Sequence, residues 1–493
     1  MGTVQKMILS TPSDLIILPQ SVTSDAEAEY GLAYAGTETQ LLVLSANSTL
    51  LQQFEGITSL VGDQSLLVGP TNAHNIAALR QRLTWLNPRP LGLQTSAGFG
   101  DRLGIATPGH IRALRAVGGQ IAPIFTQQSI REMTRTGRSA QQVMDDATWG
   151  VFAESWQSGF GADADHLKTP ADIDTCAACG YTFYTFDPGE HVDNNADTAT
   201  LDRLKAEFVR LPWDQLEDDG DSLVERYADK LFDVEGHKID FDIHAVYKAA
   251  VKYGRAVAHI VKMYRHLTNV SKSYEVEISV DETETPTTHA EHLFMVSEFK
   301  RLGVQWISLA PRFIGRFEKG VDYIGDVDAL EKDIAIHAAI ARVYGPYKIS
   351  LHSGSDKFSI YAPAMRQTHG LVHLKTAGTS WLEALRTIAH VDPALFREIY
   401  VFAREHYETD KASYHVSASL DKAPKAEIVT DAQLVDLLDQ FDVRQIVHVT
   451  FGSVLKNPDF YARLMQDLRS NPDAYAADLT KHFVRHLAPF VSQ

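Results

Sequence analysis

Eight short apolar runs, each followed by a polar loop and most by an amphipathic stretch, constrain this chain more than any other feature of it. They lie at 91–96, 121–125, 162–166, 181–186, 274–280, 306–310, 347–352 and 371–376. Helical periodicity fills intervals at 111–117, 139–159, 241–267, 289–302 and 328–343. Alternation of this kind means parallel strands joined by crossover helices. Eight such units predict an α/β fold, a closed (β/α)8 TIM barrel. A doubly wound open sheet is the competing arrangement of the same units.

Three segments exceed a minimal barrel. Residues 1–85 carry the runs LIILP, QLLVLS and SLLVGP between Thr- and Ser-rich turns, which reads as a small α+β extension. The barrel then spans 86–390, with an insertion at about 188–240 that contains EDDGDS and is expected to form two helices. Residues 391–493 form a C-terminal helical region packed on the barrel, with 3.6-residue periodicity at 432–441, 458–470 and 475–490.

Bulk properties narrow the function. Of 493 residues, 44 % are hydrophobic and 22 % charged, as in ordinary soluble proteins. The net charge of −17 argues against a nucleic-acid partner, since phosphate binding needs a basic field. A small anionic substrate is still allowed, because a few local cations override a global field. No window approaches the roughly 18 apolar residues of a membrane span. The start MGTVQKMILSTPSDL lacks a signal-peptide pattern, and Lys6 stands where myristoylation favours Ser or Thr. The expectation is a cytoplasmic protein, with a homo-oligomer possible. Cys176 and Cys179 are the only cysteines; without a second ligand pair they read as ordinary thiols at a helix end.

Chemistry in a barrel of this type belongs at the C-terminal ends of the strands. Those positions collect polar groups: GFGDRLG after the first strand, Thr126-Gln127-Gln128 after the second and DADH (Asp163 to His166) after the third. Pro311-Arg312 follows the sixth, His352 to Lys357 the seventh, and Lys375-Thr376 ends the eighth. Such a concentration points to an enzyme. GFGDRLG does not have dinucleotide-fingerprint spacing, so its glycines read as a flexible loop, with Asp101 and Arg102 facing substrate. The Ser-Gly-Ser-Asp-Lys loop offers backbone N–H groups to a phosphate or carboxylate. Gln128, Asp281, Arg312, Lys357 and Lys375 join Arg102 as candidate substrate ligands.

His166 and His352 fall at equivalent strand ends beside carboxylates, which suggests a divalent metal such as zinc or manganese. His289, His292 and His373 read as structural or surface residues. On the fifth strand Glu275, Glu277, Ser279 and Asp281 share one face, and Val276, Ile278 and Val280 the other. The apolar face meets the outer helices, so the carboxylates point inward. Buried there, they must bind metal, pair with a cation or carry a perturbed pKa. Glu275, lowest in the barrel, suits a structural ion pair; Glu277 is the better catalytic candidate.

The runs LAPRFIGRFEKGVDYIGD, YKISLHSGSDKFSIY and HLKTAGTSWLEALR resemble the tagaturonate epimerase family. GFGDRLGIATPGHI, QQSIRE and GFGADADHLK resemble that family's N-terminal barrel motifs, so the likeness runs from about Leu91 to Ile388. It implies interconversion of D-tagaturonate and D-fructuronate, with fructose and tagatose, neutral ketohexoses, as possible further substrates. It also implies a divalent metal held by His166 and His352, and an acid/base pair placed on Asp165 and Glu277. A third ligand is expected near the loop after strand six, where Glu318 stands, with Asp281 and Glu282 as substitutes. A more distant resemblance is to the non-catalytic stabilising subunit of tagatose-bisphosphate aldolase.

The two uronates differ at the carbon corresponding to C4 of the parent ketose, whose hydrogen is not adjacent to the ketone. Enolisation therefore cannot invert it. A retro-aldol cleavage of C3–C4 followed by re-addition fits better than transient oxidation by a nicotinamide, because no nucleotide fingerprint is visible. An aldolase-type lyase is the same chemistry stopped after cleavage.

Overall fold

The computed structural model describes residue 7 and residues 11–491. Met1, Gly2 and Lys6, on which the myristoylation argument rests, lie outside the described residues. Eight parallel strands close into a barrel: β1 (Ser96–Phe99), β2 (Ala122–Ser129), β3 (Gly161–Leu167), β4 (Phe183–Phe186), β5 (Glu275–Ser279), β6 (Ser308–Ala310), β7 (Lys348–Leu351) and β8 (Val372–Thr376). Each pairs with its sequence neighbour, and β8 pairs with β1 through His373 opposite Ser96. Closure removes the doubly wound alternative.

The first strand starts later than the apolar run at 91–96 suggests. Leu91 and Gly92 instead form the barrel floor, where their backbone N–H groups donate to the Glu275 carboxylate. Glu275 is thus satisfied by backbone donors rather than by the expected ion pair. The shift puts Gly98 inside β1. A Cβ at Gly98 would lie 2.7 Å from Gln127 Oε1, and one at Gly100 would lie 2.9 Å from Ala377 Cα. These two glycines permit close approach; they do not form the flexible loop expected of them.

Outward faces of the strands are apolar and meet the helices, which accounts for a large continuous core running from the N-terminal extension to the C-terminal helices. The interior is polar to an unusual degree. TIM-barrel interiors are commonly filled by branched apolar side chains, but here Ser96, Asp163, Thr185, Glu277, Ser308, Lys348 and His373 are all buried. Apolar filling is confined to a small cluster of Leu91, Ala122, Ile124 and Phe183. Such a core is stable only where each polar group finds partners. Lys348 Nζ donates to Gly92 O and Ser96 Oγ, and Ser96 Oγ contacts His373 Nδ1 at 2.8 Å.

The N-terminal extension is an antiparallel sheet of five strands, Ile16–Ser24, Glu29–Ala35, Glu38–Ser45, Gln64–Pro70 and Ile57–Val61 in spatial order, followed by the helix Ala73–Arg82. The insertion after β4 contains three α-helices and also an antiparallel hairpin, Lys230–Val234 with His237–Phe241, where only two helices were expected. The hairpin turn Glu235-Gly236 has positive φ at both residues, the signature of a tight two-residue turn. The C-terminal region is helical, and the helix Pro472–Leu487 packs along Thr107–Val117 of the barrel's outer ring. The periodicity at 432–441 resolves into two helices, Asp431–Leu437 and Phe441–Val449. Cys176 and Cys179 are free; burial pushes the Cys176 thiol up to about 12, so it is inert. Among the described residues no helix is long and apolar enough to cross a membrane.

Candidate active site at the barrel mouth

Two departures from strand regularity build the site. In β2 the register shifts between Ile124 and Thr126. A one-residue bulge reverses which side chains face inward, so Gln127 and Ser129 line the mouth cavity. Gln128, the expected substrate ligand, does not line it; its Oε1 accepts from Arg138. In β3 alternation brings Asp163 and Asp165 inward. His166 would then face out, but its φ of 53° and a register shift between Ala164 and Leu167 turn its ring into the same cavity. Adjacent residues Asp165 and His166 therefore serve one site.

His166 and His352, from β3 and the end of β7, face each other with ring centroids 5.2 Å apart. Asp281, just beyond β5, completes a cluster: its Oδ1 lies 3.6 Å from His166 Nε2 and 3.2 Å from His352 Nδ1. The opposite nitrogen of each ring is held by a carboxylate. His166 Nδ1 contacts Asp165 Oδ1 at 2.7 Å, and His352 Nε2 contacts Glu277 Oε1 at 2.6 Å. This is the arrangement in which an outer carboxylate fixes the tautomer and orientation of a metal-ligating imidazole. The three converging groups, two imidazoles and one carboxylate, suit a zinc- or manganese-class ion.

Glu318 is not one of them. Its Oε2 accepts from Ser417 N at 3.0 Å, Ser417 Oγ at 2.7 Å and Gln445 Nε2 at 2.9 Å, tying the loop after β6 to the C-terminal region. Asp281, expected as a substrate ligand and only secondarily as a metal ligand, is the carboxylate that converges with the two imidazoles.

Beneath the cluster Lys375 Nζ sits 2.8 Å from Asp163, 2.6 Å from Asp165 and 2.8 Å from Glu277. Burial opposes charge on every one of these groups, but their mutual attraction decides the outcome for most. Burial alone would raise Asp165, yet the charges of His166 and Lys375 hold it well below the usual carboxylate range. Glu277 is held low in the same way by Lys375 and His352. For Asp163 burial prevails and its carboxyl rises to about 7, with only Lys375 pulling it down. Glu277 is fully buried, bonded to Ser308 Oγ at 2.6 Å and Thr185 Oγ1 at 3.2 Å, and lines no part of the cavity. It orients His352 and Lys375 from below, and its position does not suit the substrate contact expected of a catalytic acid or base.

The family model for tagaturonate epimerase matches residues 18–490. The chain belongs to the tagaturonate epimerase family. A relative named tagaturonate/fructuronate epimerase, from Thermotoga maritima, is 46 % identical over 416 residues, which are 84 % of this chain and 85 % of that one. Crystal structures of a fructuronate-tagaturonate epimerase from Cohnella laeviribosi superpose closely. Its complex with one glycerol gives a TM-score of 0.91 at 35 % identity over 97 % of this chain and 96 % of that one. Its complex with two glycerols gives 0.92 at 34 % identity over the full length of both. The chain is accordingly a carbohydrate epimerase.

Around the epimerase cluster the remaining expected residues divide. Arg102 lines the cavity, with its guanidinium on Glu132 at 2.9 Å and 3.6 Å above the Phe451 ring. Arg312 lines an outer continuation of the cavity and donates to Thr283 O. Lys375 reaches the inner wall. Lys357 does not reach substrate space at all: it is fully buried and donates to the carbonyls of Glu318, Val321 and Ser355 at 2.7, 2.6 and 3.0 Å. Asp101 is likewise a local cap, accepting from the N–H groups of Leu103, Gly104 and Ala106.

Further residues line the cavity. Lys319, bonded to Ser353 Oγ at 2.7 Å, lines both parts of it, as do Arg131 and Glu282, the latter expected only as a substitute metal ligand. Tyr414 and His448 come from the C-terminal region, which therefore walls the site as well as bracing the barrel. Adjacency to Glu318 draws attention to Lys319; nothing in the local pattern around Tyr414 or His448 does.

Proposed function

We propose that this chain interconverts D-tagaturonate and D-fructuronate by a metal-assisted retro-aldol/aldol reaction at the barrel mouth. The observation that carries the reading is the convergence of His166 Nε2, His352 Nδ1 and Asp281 Oδ1, each imidazole braced by a carboxylate. A divalent ion held there would supply Lewis-acid polarisation of the substrate's ketone and a fixed template for its oxygens.

The chain's own groups account for the rest. Asp165 lines the cavity, and Lys375 Nζ at 2.6 Å favours its carboxylate form, so it can accept the proton of the C4 hydroxyl as the C3–C4 bond breaks. The electron pair of that bond passes to the fragment bearing the ketone, and C4 becomes an aldehyde. Rotation of the aldehyde exposes its other face; C3 re-adds and the proton returns from Asp165 to the new C4 oxygen. Lys375, bonded to Asp165, keeps the carboxylate's charge balanced through the exchange. Re-addition outruns escape only if both halves stay close. Tyr414 and His448 close the cavity on the C-terminal side and serve that purpose. Lys319, Arg131 and Arg102 supply the cationic wall for the uronate carboxylate. We place the protein among cytoplasmic enzymes of sugar-acid metabolism, in keeping with this substrate class.

The test is incubation of metal-loaded protein with D-fructuronate and, separately, D-fructose, with products read by NMR. Conversion of the uronate to its C4 epimer without free three-carbon fragments is expected. Accumulating fragments would make the protein a lyase, and no turnover without a second subunit would favour a stabilising role.

A further inference from the structure

Away from the mouth, a second group of ligating side chains lies between two outer helices, His289–Arg301 after β5 and Val327–Tyr344 after β6. His289 opens the first helix. Asp333 and His337, four residues apart, share one face of the second. Their ligand atoms converge: His289 Nε2 is 2.9 Å and His337 Nε2 3.8 Å from Asp333 Oδ1. Metal–ligand bonds of about 2.0–2.2 Å place tetrahedral ligand atoms roughly 3.3–3.6 Å apart, and the two separations bracket that distance.

Two buried atoms here lack the hydrogen bonds that burial ordinarily demands. His337 is fully buried and its Nε2 has no hydrogen-bond partner among the described residues; neither has Asp333 Oδ2. The other side of the His337 ring is fully engaged. His337 Nδ1 lies 2.8 Å from His292 Nδ1, and His292 Nε2 lies 2.8 Å from the Tyr347 hydroxyl. With the shared proton on His337 Nδ1, the His337 Nε2 lone pair points at Asp333 and His289, the brace expected behind a ligating imidazole. His289 is partly exposed, so the group reaches solvent on that side.

We propose that His289, Asp333 and His337 form a second divalent-metal site of the zinc class, separate from the mouth. Bound there, the ion clamps the helix after β5 to the helix after β6. The Phe313 ring packs 5.6 Å from His337, so the clamp also backs the loop that carries Arg312 and Lys319 to the cavity.

Full-length protein is stripped with chelator, loaded with zinc, freed of excess and assayed for bound metal. Wild type is expected to hold two equivalents per chain, with one equivalent lost in H337Q and in H289N. H352Q, altered only at the mouth, keeps the equivalent that H289N loses. If the mouth binds no zinc, wild type holds one and H289N none, which still supports this site. Equal metal content in wild type and H289N overturns it. Should H337Q fail to fold, H352Q decides: zinc raises its Tm, and adding H289N abolishes the rise. A zinc response that survives in the H352Q/H289N protein also overturns the proposal.

Discussion

Asp165 Oδ1 lies 2.7 Å from Nδ1 of His166, the next residue in the chain, so neighbours on one strand supply a cavity carboxylate and the imidazole it braces. Regular β geometry forbids this, since successive side chains face opposite ways. The positive φ of His166 makes it possible. Strain of this kind is held in place by surrounding structure and is concentrated at functional sites.

The two carboxylates that brace the histidines should separate on substitution. Asp165 touches the cavity and Glu277 does not. D165N should lose about 10²–10⁴-fold in kcat even at saturating metal, the range for a lost acid/base group. E277Q should instead weaken metal binding by roughly 10–100-fold and recover much of its rate as metal is raised. Steady-state kinetics across a metal titration read both effects.

Glu318 holds the loop after β6 to the C-terminal region through three hydrogen bonds. E318A should leave metal affinity within about twofold of wild type while lowering stability by about 1–3 kcal/mol, since buried donors lose their acceptor. Calorimetric metal binding and denaturant melts check the two halves. A large loss of metal affinity would restore Glu318 to the ligand set.

Lys357 gives the stability a pH dependence. Burial drives it from the ordinary 10.5 down to about 7. Between those values the unfolded chain holds the proton and the folded chain releases it, the neutral amine keeping two of the three hydrogen bonds that the ammonium donates. Stability from this group therefore rises with pH across the window, by up to about 1.4 kcal/mol per unit, and is lost as pH falls toward 7. Melts between pH 7.5 and about 9.5 should show a shallower slope for K357M than for wild type, whatever its absolute stability.

Gly98 is a packing position. A methyl there would lie 2.7 Å from Oε1 of Gln127, a cavity-lining side chain that would have to shift. G98A should cost about 1–3 kcal/mol as an overpacked site, and should impair turnover more than an equally destabilising substitution in the N-terminal sheet. Paired melts and rates decide it.

What the sequence revealed follows from which signals are local. Strand–helix alternation and the inward face of Glu275, Glu277, Ser279 and Asp281 are periodic, and they led to the barrel and to its acidic interior. Bulges are not periodic, so the sequence pattern alone favours Gln128 over Gln127. Pairings across long stretches of chain are equally silent. Glu318 reads as a ligand until Ser417 and Gln445 are seen to occupy it, and Lys357 reads as a free cation until three carbonyls surround it. Tyr414 and His448 reach the cavity from a helical region whose local pattern speaks only of packing.

The most direct test of the account is the position of a bound cation in crystals of the metal-loaded protein, located by anomalous scattering from zinc or manganese. A peak within ligating distance of His166 Nε2, His352 Nδ1 and Asp281 is the predicted result. A loaded, active crystal with no peak there, or with the ion at Glu318, would contradict it.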